Sequence, residues 1–245
     1  MDVINEKFNY KGRLWPKYKI VESNGEEMAV PTPEWKDHLV ELEVRRYLSA
    51  SGIKEISKYG LDTYIGEDKN RNIPKLKKYC DEFDSKFKKV HLYLWSTVNG
   101  TQKSTCAKDI LVRLARKGIQ GYFVLMDDLI HLLLKSERDE NASQKVKLWQ
   151  KSAFLVIDEC FAKEQVTLFS TGYQKAYINT FLKNRLEINQ MATCFTANVA
   201  INDIGELWGK PLQSLINRSI PTPMFFDDTI DASRFRNDDI WGDAE

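Results

Sequence analysis

No stretch of this 245-residue sequence approaches the roughly 20 consecutive apolar residues that a membrane-spanning helix needs. The N-terminus lacks an apolar core behind a basic start, which excludes a secretory signal peptide. Net charge is also lacking, because 36 Lys and Arg residues balance 35 Asp and Glu residues. If this protein binds nucleic acid, it would therefore do so through a local basic patch, because the chain as a whole is not basic. We expect a cytoplasmic protein without a membrane partner.

Cysteine is scarce and scattered. The four cysteines stand singly and form no Cys-x-x-Cys pair, which argues against a structural zinc site. Three of them fall within segments predicted to be buried, so we expect small core residues rather than disulfides. The four are Cys80, Cys106, Cys160 and Cys194.

The first third of the chain has no continuous pattern. Residues 1–34 are polar and interrupted by glycine and proline, which indicates extended or irregular structure. Residues 34–50 have apolar side chains at helical spacing, and Gly52 is the expected stop. The apolar face of residues 75–88 predicts a second helix.

From residue 90 onward, short apolar runs alternate with helical patterns. The apolar runs are 90–95, 121–126, 153–158 and 191–198, and the predicted helices are 103–118, 127–135, 143–151 and 172–186. Continuous apolar strands that alternate with helices are typical of a parallel sheet covered on both faces. The expected fold class is therefore α/β.

A candidate phosphate loop follows the first of these strands. The order of strand, small polar loop, Lys-Ser and helix is the order of a P-loop. Loop amides and the helix N-terminus would face the phosphates of ATP, and Lys103 would reach the outer ones. The hydroxyl of Ser104 would bind Mg²⁺, with Thr105 as a less favoured substitute. The candidate loop consists of Thr97, Val98, Asn99, Gly100, Thr101, Gln102, Lys103, Ser104 and Thr105.

This loop departs from the usual pattern at two positions. Glycine is usual at the first position and just before the lysine, where this chain has Thr97 and Gln102. A side chain before the lysine either crowds the backbone or requires a costly φ angle. The departures put efficient hydrolysis in doubt more than nucleotide binding. Taken alone, the segment is equally a plain strand-to-helix turn with an exposed lysine.

Polar residues also end the later strands. Asp158 and Glu159 close the third apolar run, at the edge where ligands bind in open α/β sheets. Asp158 would hold the Mg²⁺ shell, and Glu159 would orient the attacking water. Asn198 closes the fourth run, from which its amide would contact the γ-phosphate or that water. Each of these residues alone is also an ordinary turn residue, so the argument depends on their shared order along the chain.

Three segments together resemble the DnaC/IstB group of AAA+ ATPases. They are HLYLWSTVNGTQKSTCAKDILVRLARKG, FLVIDECF and ATCFTANVAINDIGELWGKPLQSLINRS. The resemblance covers residues 50–225, including the approach SASGIKEISKYGLDTYIG, which is similar to the linker of phage helicase loaders. It implies a P-loop AAA+ core in which Asn198 is the first sensor.

The resemblance also implies residues that act between subunits. Arg218 matches the arginine finger, which would act on the nucleotide of a neighbouring subunit, although a surface salt bridge is the alternative. Arg185 is a second candidate for an intersubunit contact. The resemblance leads us to expect no C-terminal helical lid domain after Arg218, as in the loader group.

The function implied by the resemblance is ATP-dependent loading of a hexameric replicative DNA helicase onto single-stranded DNA during DNA replication. Subunits would self-associate with nucleotide. An IstB-like transposition helper and a nucleotide-binding scaffold or loader mimic with little hydrolysis remain alternatives. We expect an N-terminal extension (1–52), an ATPase core (53–226) and an acidic tail (227–245).

The docking and DNA-binding surfaces are less defined. Trp35, Leu39 and Leu42 are candidate anchors for the helicase, or they pack on the core. Candidate DNA contacts, which are equally a solvated helix face, are Lys135, Arg138, Lys145 and Lys147.

Overall fold

The N-terminal part forms two antiparallel hairpins and a long helix. The computed structural model describes residues 6–23, 26–50, 53, 59–162, 165, 172–220 and 222–226. The hairpins pair β1 (Lys7–Tyr10) with β2 (Arg13–Pro16) and β3 (Tyr18–Ser23) with β4 (Glu26–Pro31), and α1 is Pro33–Ala50. The expectation of extended or irregular structure did not specify this pairing, because strands of four to six residues give little periodicity. The expected stop at Gly52 lies outside the described residues.

A five-stranded parallel sheet forms the centre of the remaining chain. Its strands are β5 (Leu92–Trp95), β6 (Gly121–Leu125), β7 (Phe154–Cys160), β8 (Ala192–Ala197) and β9 (Met224–Phe225). The spatial order is β6–β7–β8–β5–β9, and every neighbouring pair is parallel. The predicted α/β class with a parallel sheet is confirmed. The order places β8 between β5 and β7, so the loops that follow these three strands are neighbours.

Helices cover both faces of the sheet. They are α2 (Ile73–Asp81), α3 (Lys103–Arg116), α4 (Met126–Lys135), α5 (Glu140–Lys151), α6 (Gly172–Lys183), α7 (Ile204–Trp208) and α8 (Lys210–Ser219). Because side chains alternate along a strand, Leu92 and Leu94 pack with α1–α3, whereas Tyr93 packs with the helices from α4 onward. This alternation explains why the strands are apolar throughout.

In two places the α-helix ends before the last residue of the apolar pattern that predicted it. The helix predicted over 75–88 ends at Asp81 and continues as a π-helical turn at Phe83–Phe87. The helix predicted over 172–186 ends at Lys183 and continues as a π-helical turn at Asn184–Ile188. A π turn keeps apolar side chains close to the same face, so periodicity alone does not reveal it.

The apolar side chains of α1 fall into two groups, and only the exposed group contains candidate helicase anchors. In the second half of α1, Val44 and Leu48 are buried in the cluster formed with α2 and α3. Nearer the middle of the helix, Leu39 and Leu42 are each 46% exposed. The interpretation that these two leucines pack on the core is therefore wrong. The domain boundary at residue 52 stays a prediction.

Arg185 corrects a second expectation. Its guanidinium is fully buried and donates to the carbonyl oxygens of Trp149, Ser152 and Ala192 at 2.5, 3.0 and 2.7 Å. Burial lowers the pKa of Arg185 to about 9. The prediction that Arg185 contacts a neighbouring subunit is wrong, because its donors hold the end of α5 to the start of β8 within the chain.

His91, at the entrance to β5, is a buried neutral imidazole. Burial lowers its pKa to about 4, and Nδ1 has no hydrogen-bond partner among the described residues. The unfolded chain, with a histidine pKa near 6.5, binds more protons below that pH than the folded chain does. The contribution of neutral His91 to the free energy of unfolding is therefore fully present above pH 6.5, and it is lost as the pH falls towards 4.

We expect the free energy of unfolding to fall by about 2 kcal/mol between pH 7.5 and pH 5.0 because of His91. Urea unfolding at the two pH values measures the loss. His91→Gln, which cannot be protonated, should remove most of this pH dependence even if it lowers stability at pH 7.5. An equal loss in the variant would assign the effect to other groups.

The remaining global expectations concern cysteines and membranes. All four cysteines are buried free thiols, as predicted. None of the helices in the described ranges is long and apolar enough to cross a membrane. The acidic tail, 227–245, lies outside the described residues.

Candidate functional site

The carboxyl ends of β5, β7 and β8 enclose a cleft of about 250 Å³. Parallel strands place their carboxyl ends at one edge, and the strand order makes these three ends adjacent. The lining comes from the loop after β5 and from the ends of β7 and β8: Asn99, Gly100, Thr101, Gln102, Lys103, Ser104, Thr105, Glu159, Thr196, Ala197 and Asn198. Of the predicted phosphate loop, Thr97 and Val98 lie outside this lining.

The loop holds its lysine inside the cleft. Lys103 is the first residue of α3 and is 7% exposed. Its Nζ donates to the hydroxyl of Thr101 at 2.6 Å and to the carbonyl of Val98 at 3.2 Å. The ammonium is thus surrounded by the curve of the loop at a helix N-terminus, which is the arrangement that binds phosphate in P-loops. A plain turn with an exposed lysine does not describe this segment.

Gln102 adopts the backbone conformation that glycine usually supplies. Its φ is 59° and its ψ is 13°, in the left-handed region. A non-glycine residue there costs roughly 1–2 kcal/mol relative to the right-handed region. The side chain offsets part of the cost, because Nε2 donates to the carbonyl of Ile65 at 2.6 Å. The loop therefore keeps its shape without the glycine and is tied to the segment before α2.

The acid of β7 is joined to the loop directly. The hydroxyl of Ser104 donates to Asp158 Oδ1 at 2.6 Å, and the Thr196 hydroxyl donates to the same oxygen. Asp158 is 4% exposed, so these donors stabilise a buried carboxylate. The two residues predicted to bind Mg²⁺, which are 54 positions apart, are in contact.

Glu159 is held by its backbone rather than by its side chain. It lies at the surface of the cleft with φ 56°, a strained conformation of the kind often found at functional sites. Its N–H donates to the hydroxyl oxygen of Thr196 at 3.2 Å, and its carbonyl accepts from Gln165 Nε2 at 2.7 Å. Both sides of the residue are thereby fixed while the carboxylate lines the cleft.

Sequence reasoning missed Thr196 and Gln165. Thr196 is 2% exposed on β8 and contacts both acids. A signal was present: Thr196 lies two positions before Asn198, and alternate residues of a strand share a face. Gln165 gives no such signal, because only the folded loop brings it back to Glu159.

Thr196→Val is expected to lower the free energy of unfolding by about 1–3 kcal/mol, although valine has nearly the same shape. The substitution leaves the Glu159 N–H without its acceptor and removes one donor from Asp158. Thr196→Ser keeps the hydroxyl and should retain most of the stability. Urea unfolding of the three proteins tests this, and equal midpoints for valine and threonine would contradict it.

Asn198 faces the phosphate loop across the cleft. Its Nδ2 donates to Asn99 Oδ1 at 2.8 Å, so the two amides connect the end of β8 to the loop. The structure therefore brings Lys103, Ser104, Asp158, Glu159 and Asn198 to one place. Their roles remain predictions.

Arg218 does not line this cleft. It lies near the end of α8, with a side chain that is 60% exposed. Its guanidinium donates to Glu187 Oε1 at 2.8 Å and to the hydroxyl of Ser214 at 2.7 Å. Within one chain Arg218 forms the surface salt bridge that was the alternative to an arginine finger.

The donor set at the cleft suits a hard cation shared with phosphates. The described residues contain no group of three or more His, Cys, Asp or Glu side chains that would hold a metal ion by themselves. The hydroxyl–carboxylate pair of Ser104 and Asp158 is the kind of oxygen set that Mg²⁺ uses together with nucleotide phosphates and water. Burial and the nearby Asp158 raise the pKa of Cys160 well above its usual range, so this thiol is no nucleophile.

In fold, the chain is similar to solved structures of helicase loaders and of a replication initiator. Compared with the crystal structure of the DnaC helicase loader, it has a TM-score of 0.55 at 23% identity, over 75% of this chain and 99% of that one. Compared with the crystal structure of DnaI, the TM-score is 0.57 at 15% identity, over 76% and 93% of the chains. The fold expected from the resemblance is confirmed.

The replication initiator DnaA, bound to AMPPCP and single-stranded DNA, is similar over a smaller share of its own length. The TM-score is 0.57 at 11% identity, over 70% of this chain and 50% of that one. No protein-family model matches the sequence. No curated protein matches it either. At these identities the likeness establishes the fold.

Proposed function

We propose that the cleft binds ATP with Mg²⁺ and hydrolyses it, and that the chain uses this cycle to load a replicative helicase. The observation that supports this most is the hydrogen bond between Ser104 and Asp158, with Lys103, Glu159 and Asn198 on the same cleft. Five residues from three strand ends meet where a P-loop ATPase binds the terminal phosphates. The similar DnaC and DnaI folds support the loader role.

Each residue has a distinct role in this proposal. Lys103 binds the outer phosphates, and Ser104 and Asp158 hold the metal. Bound Mg²⁺ neutralises charge on the phosphate oxygens. The Glu159 carboxylate orients the water and accepts its proton, while Asn198 hydrogen-bonds the γ-phosphate or that water. Thr196 positions both acids through its hydroxyl.

The loader role also needs contacts between molecules. Arg218 would leave Glu187 and donate to the nucleotide of a neighbouring subunit, which its 60% exposure permits. Leu39 and Leu42 offer apolar surface on α1 for the helicase. Of the candidate DNA contacts on the core, Lys135 is paired with Asp139 at 2.9 Å, Lys145 lies over the ring of Trp149, and Arg138 and Lys147 stand on the surface beside them.

A loading assay tests the proposal. The hexameric helicase of the native host is mixed with closed circular single-stranded DNA, which has no end for threading, and helicase retained on the circle is measured. We expect retention with this chain and ATP, and little retention with Lys103→Ala or without ATP. Equal retention without the chain would contradict loading. Stimulated transposase activity on duplex DNA instead would favour the transposition helper.

A nucleotide-binding scaffold with slow turnover is the second candidate, and Gln102 is the observation that favours it. Its left-handed backbone and its bond to Ile65 hold the loop in one shape. Single-turnover hydrolysis of bound ATP, with and without single-stranded DNA, separates a slow ATPase from a scaffold. A scaffold would bind ATP and hydrolyse little of it in either condition, whereas an ATPase would be stimulated by the DNA.

A further inference from the structure

The first hairpin and the start of β3 concentrate charge of one sign. The segment from Lys7 to Lys19 contains five cations and no acid, in a chain whose formal net charge is +1. The cations are Lys7, Lys11, Arg13, Lys17 and Lys19, and the aromatic residues between them are Phe8, Tyr10, Trp15 and Tyr18. Cations interleaved with aromatic rings are the combination with which proteins bind single-stranded nucleic acid.

Four of the five cations are exposed to solvent, three of them on the β1–β2 hairpin and one on β3. Lys11 and Gly12 form the tight turn of that hairpin, both with positive φ, so the tip carries Lys11 next to Arg13. Lys7, Lys11, Arg13 and Lys19 are exposed, and none of the four forms an ion pair within the part of the chain that the structure describes. Lys17 is the exception, with Glu6 Oε2 at 2.5 Å.

One face of the hairpin carries the aromatic rings. Phe8 is paired with Trp15 and Tyr10 with Arg13, so these four side chains share a face. Phe8 is buried against Trp35 of α1, with ring centroids 4.8 Å apart. Tyr10 and Trp15 are only partly buried, so both residues keep exposed surface, although the Tyr10 ring also contacts His38 of α1 at 5.7 Å between centroids.

Cations lie on one ring of the hairpin and on one ring of α1. Lys11 Nζ is 4.9 Å from the ring centroid of Tyr10, and Lys17 Nζ is 4.8 Å from that of Trp35. The positive charges and the ring faces therefore occupy one surface. A chain of phosphates with unpaired bases matches both features, because the charges meet the backbone and the rings stack on the bases.

The hairpin is fixed to the rest of the protein. The hydroxyl of Thr32 donates to the carbonyl of Pro16 at 2.7 Å, and the Thr32 N–H donates to the carbonyl of Lys17 at 2.9 Å. The same hydroxyl accepts from the Trp35 N–H in the first turn of α1. The second half of α1 packs on α3, so the hairpin is presented on a rigid support.

We propose that the β1–β2 hairpin is a binding site for single-stranded nucleic acid, separate from the nucleotide cleft. Duplex DNA fits less well, because its bases offer no free faces to Tyr10 and Trp15. The competing occupant is the acidic second hairpin of another copy of this chain, whose β3 and β4 carry Glu22, Glu26 and Glu27. The aromatic face favours nucleic acid, because charge pairing alone would not require it.

Fluorescence anisotropy with a labelled 20-nucleotide oligo-dT, in EDTA and without nucleotide, tests the proposal. We expect Lys11→Glu/Arg13→Glu to weaken binding at least about 10-fold and to reduce the slope of log affinity against log salt by roughly 1.4, since each phosphate contact on a single strand contributes about 0.7. Trp15→Leu should weaken binding by roughly 5-fold or more with the salt slope unchanged.

The matched control is Lys88→Glu/Lys89→Glu, which makes the same change in charge at two exposed lysines before β5. It should bind oligo-dT as the unaltered chain does. If both double variants bind oligo-dT equally weakly, the loss of affinity is due to the change in net charge, and the proposal is wrong. The proposal also fails if Lys11→Glu/Arg13→Glu binds oligo-dT normally but changes self-association in sedimentation without DNA.

Two further arms separate this site from the proposed function. Lys103→Ala should retain hairpin binding, because the assay contains no nucleotide, while losing helicase loading. Lys145→Glu/Lys147→Glu removes the candidate contacts on the core. If only that double variant loses oligo-dT binding, the nucleic-acid site lies on the core and the hairpin proposal is wrong, while the loader proposal stands.

Discussion

Glu159→Gln is expected to lower the rate of ATP hydrolysis by at least about 100-fold while ATP binding is kept, because a positioned general base contributes roughly 100- to 10,000-fold. Glutamine has the same length and shape, so the backbone contacts to Thr196 and Gln165 persist. What is lost is the negative charge that orients the water. Single-turnover hydrolysis and binding of a fluorescent ATP analogue measure the two effects.

Two controls make this result specific. Glu206→Gln neutralises an exposed carboxylate on α7, away from the cleft lining, and should hydrolyse ATP normally. Lys103→Ala should lose binding itself, because its ammonium lies within the loop. Unchanged turnover in Glu159→Gln would show that Glu159 is not the base. Unchanged binding in Lys103→Ala would remove the cleft as the nucleotide site.

The sequence was sufficient to bring the candidate site residues to one edge. Lys103 and Asn198 follow apolar strands and Asp158 lies near the end of another, and parallel strands end at the same edge. The spatial order of the strands does not follow from the chain order, since β8 lies between β5 and β7. That insertion is what gives Thr196 its contacts with both acids, which explains why Thr196 was missed.

The replacement of glycine by Gln102 in the phosphate loop allowed the strained φ angle to be predicted, but not the contact that offsets its cost. The sequence indicated a costly φ at this position, and the left-handed value of 59° agrees. What the sequence does not show is the compensating bond to Ile65, because residues 37 positions apart meet only in the folded chain. The replacement of glycine by glutamine therefore raises the energetic cost of forming the phosphate loop, while the shape of the loop is kept.

The position of Arg185 in the sequence was not sufficient to predict whether its side chain is exposed or buried. Its place in a helix ending before β8 agrees with a surface role, yet the π-helical turn at Asn184–Ile188 directs it into the core. Nothing in a periodic pattern separates a π turn from another helical turn. A long cation is tolerated there because carbonyl oxygens, rather than a carboxylate, receive its donors.

Arg185→Leu is expected to lower the free energy of unfolding by about 3–5 kcal/mol, because several buried carbonyl oxygens lose their donors at once. For a domain of this size the melting temperature should fall by roughly 10 °C. Arg185→Lys supplies fewer donors from a single nitrogen, so it should recover only part of the loss. Thermal and urea unfolding of the two variants measure both effects.

Arg218→Leu is the control that separates a core arginine from a surface one. Its ion pair with Glu187 is largely exposed, and such pairs contribute about 0–1 kcal/mol. The two substitutions should therefore differ in what they change. Arg185→Leu should lower the free energy of unfolding strongly. Arg218→Leu should leave the free energy of unfolding nearly unchanged and should impair only ATP hydrolysis by the assembled protein. A stable Arg185→Leu variant that fails to assemble would restore the intersubunit role. In that case the buried guanidinium would have to leave the core on assembly, which its contacts with Trp149, Ser152 and Ala192 oppose.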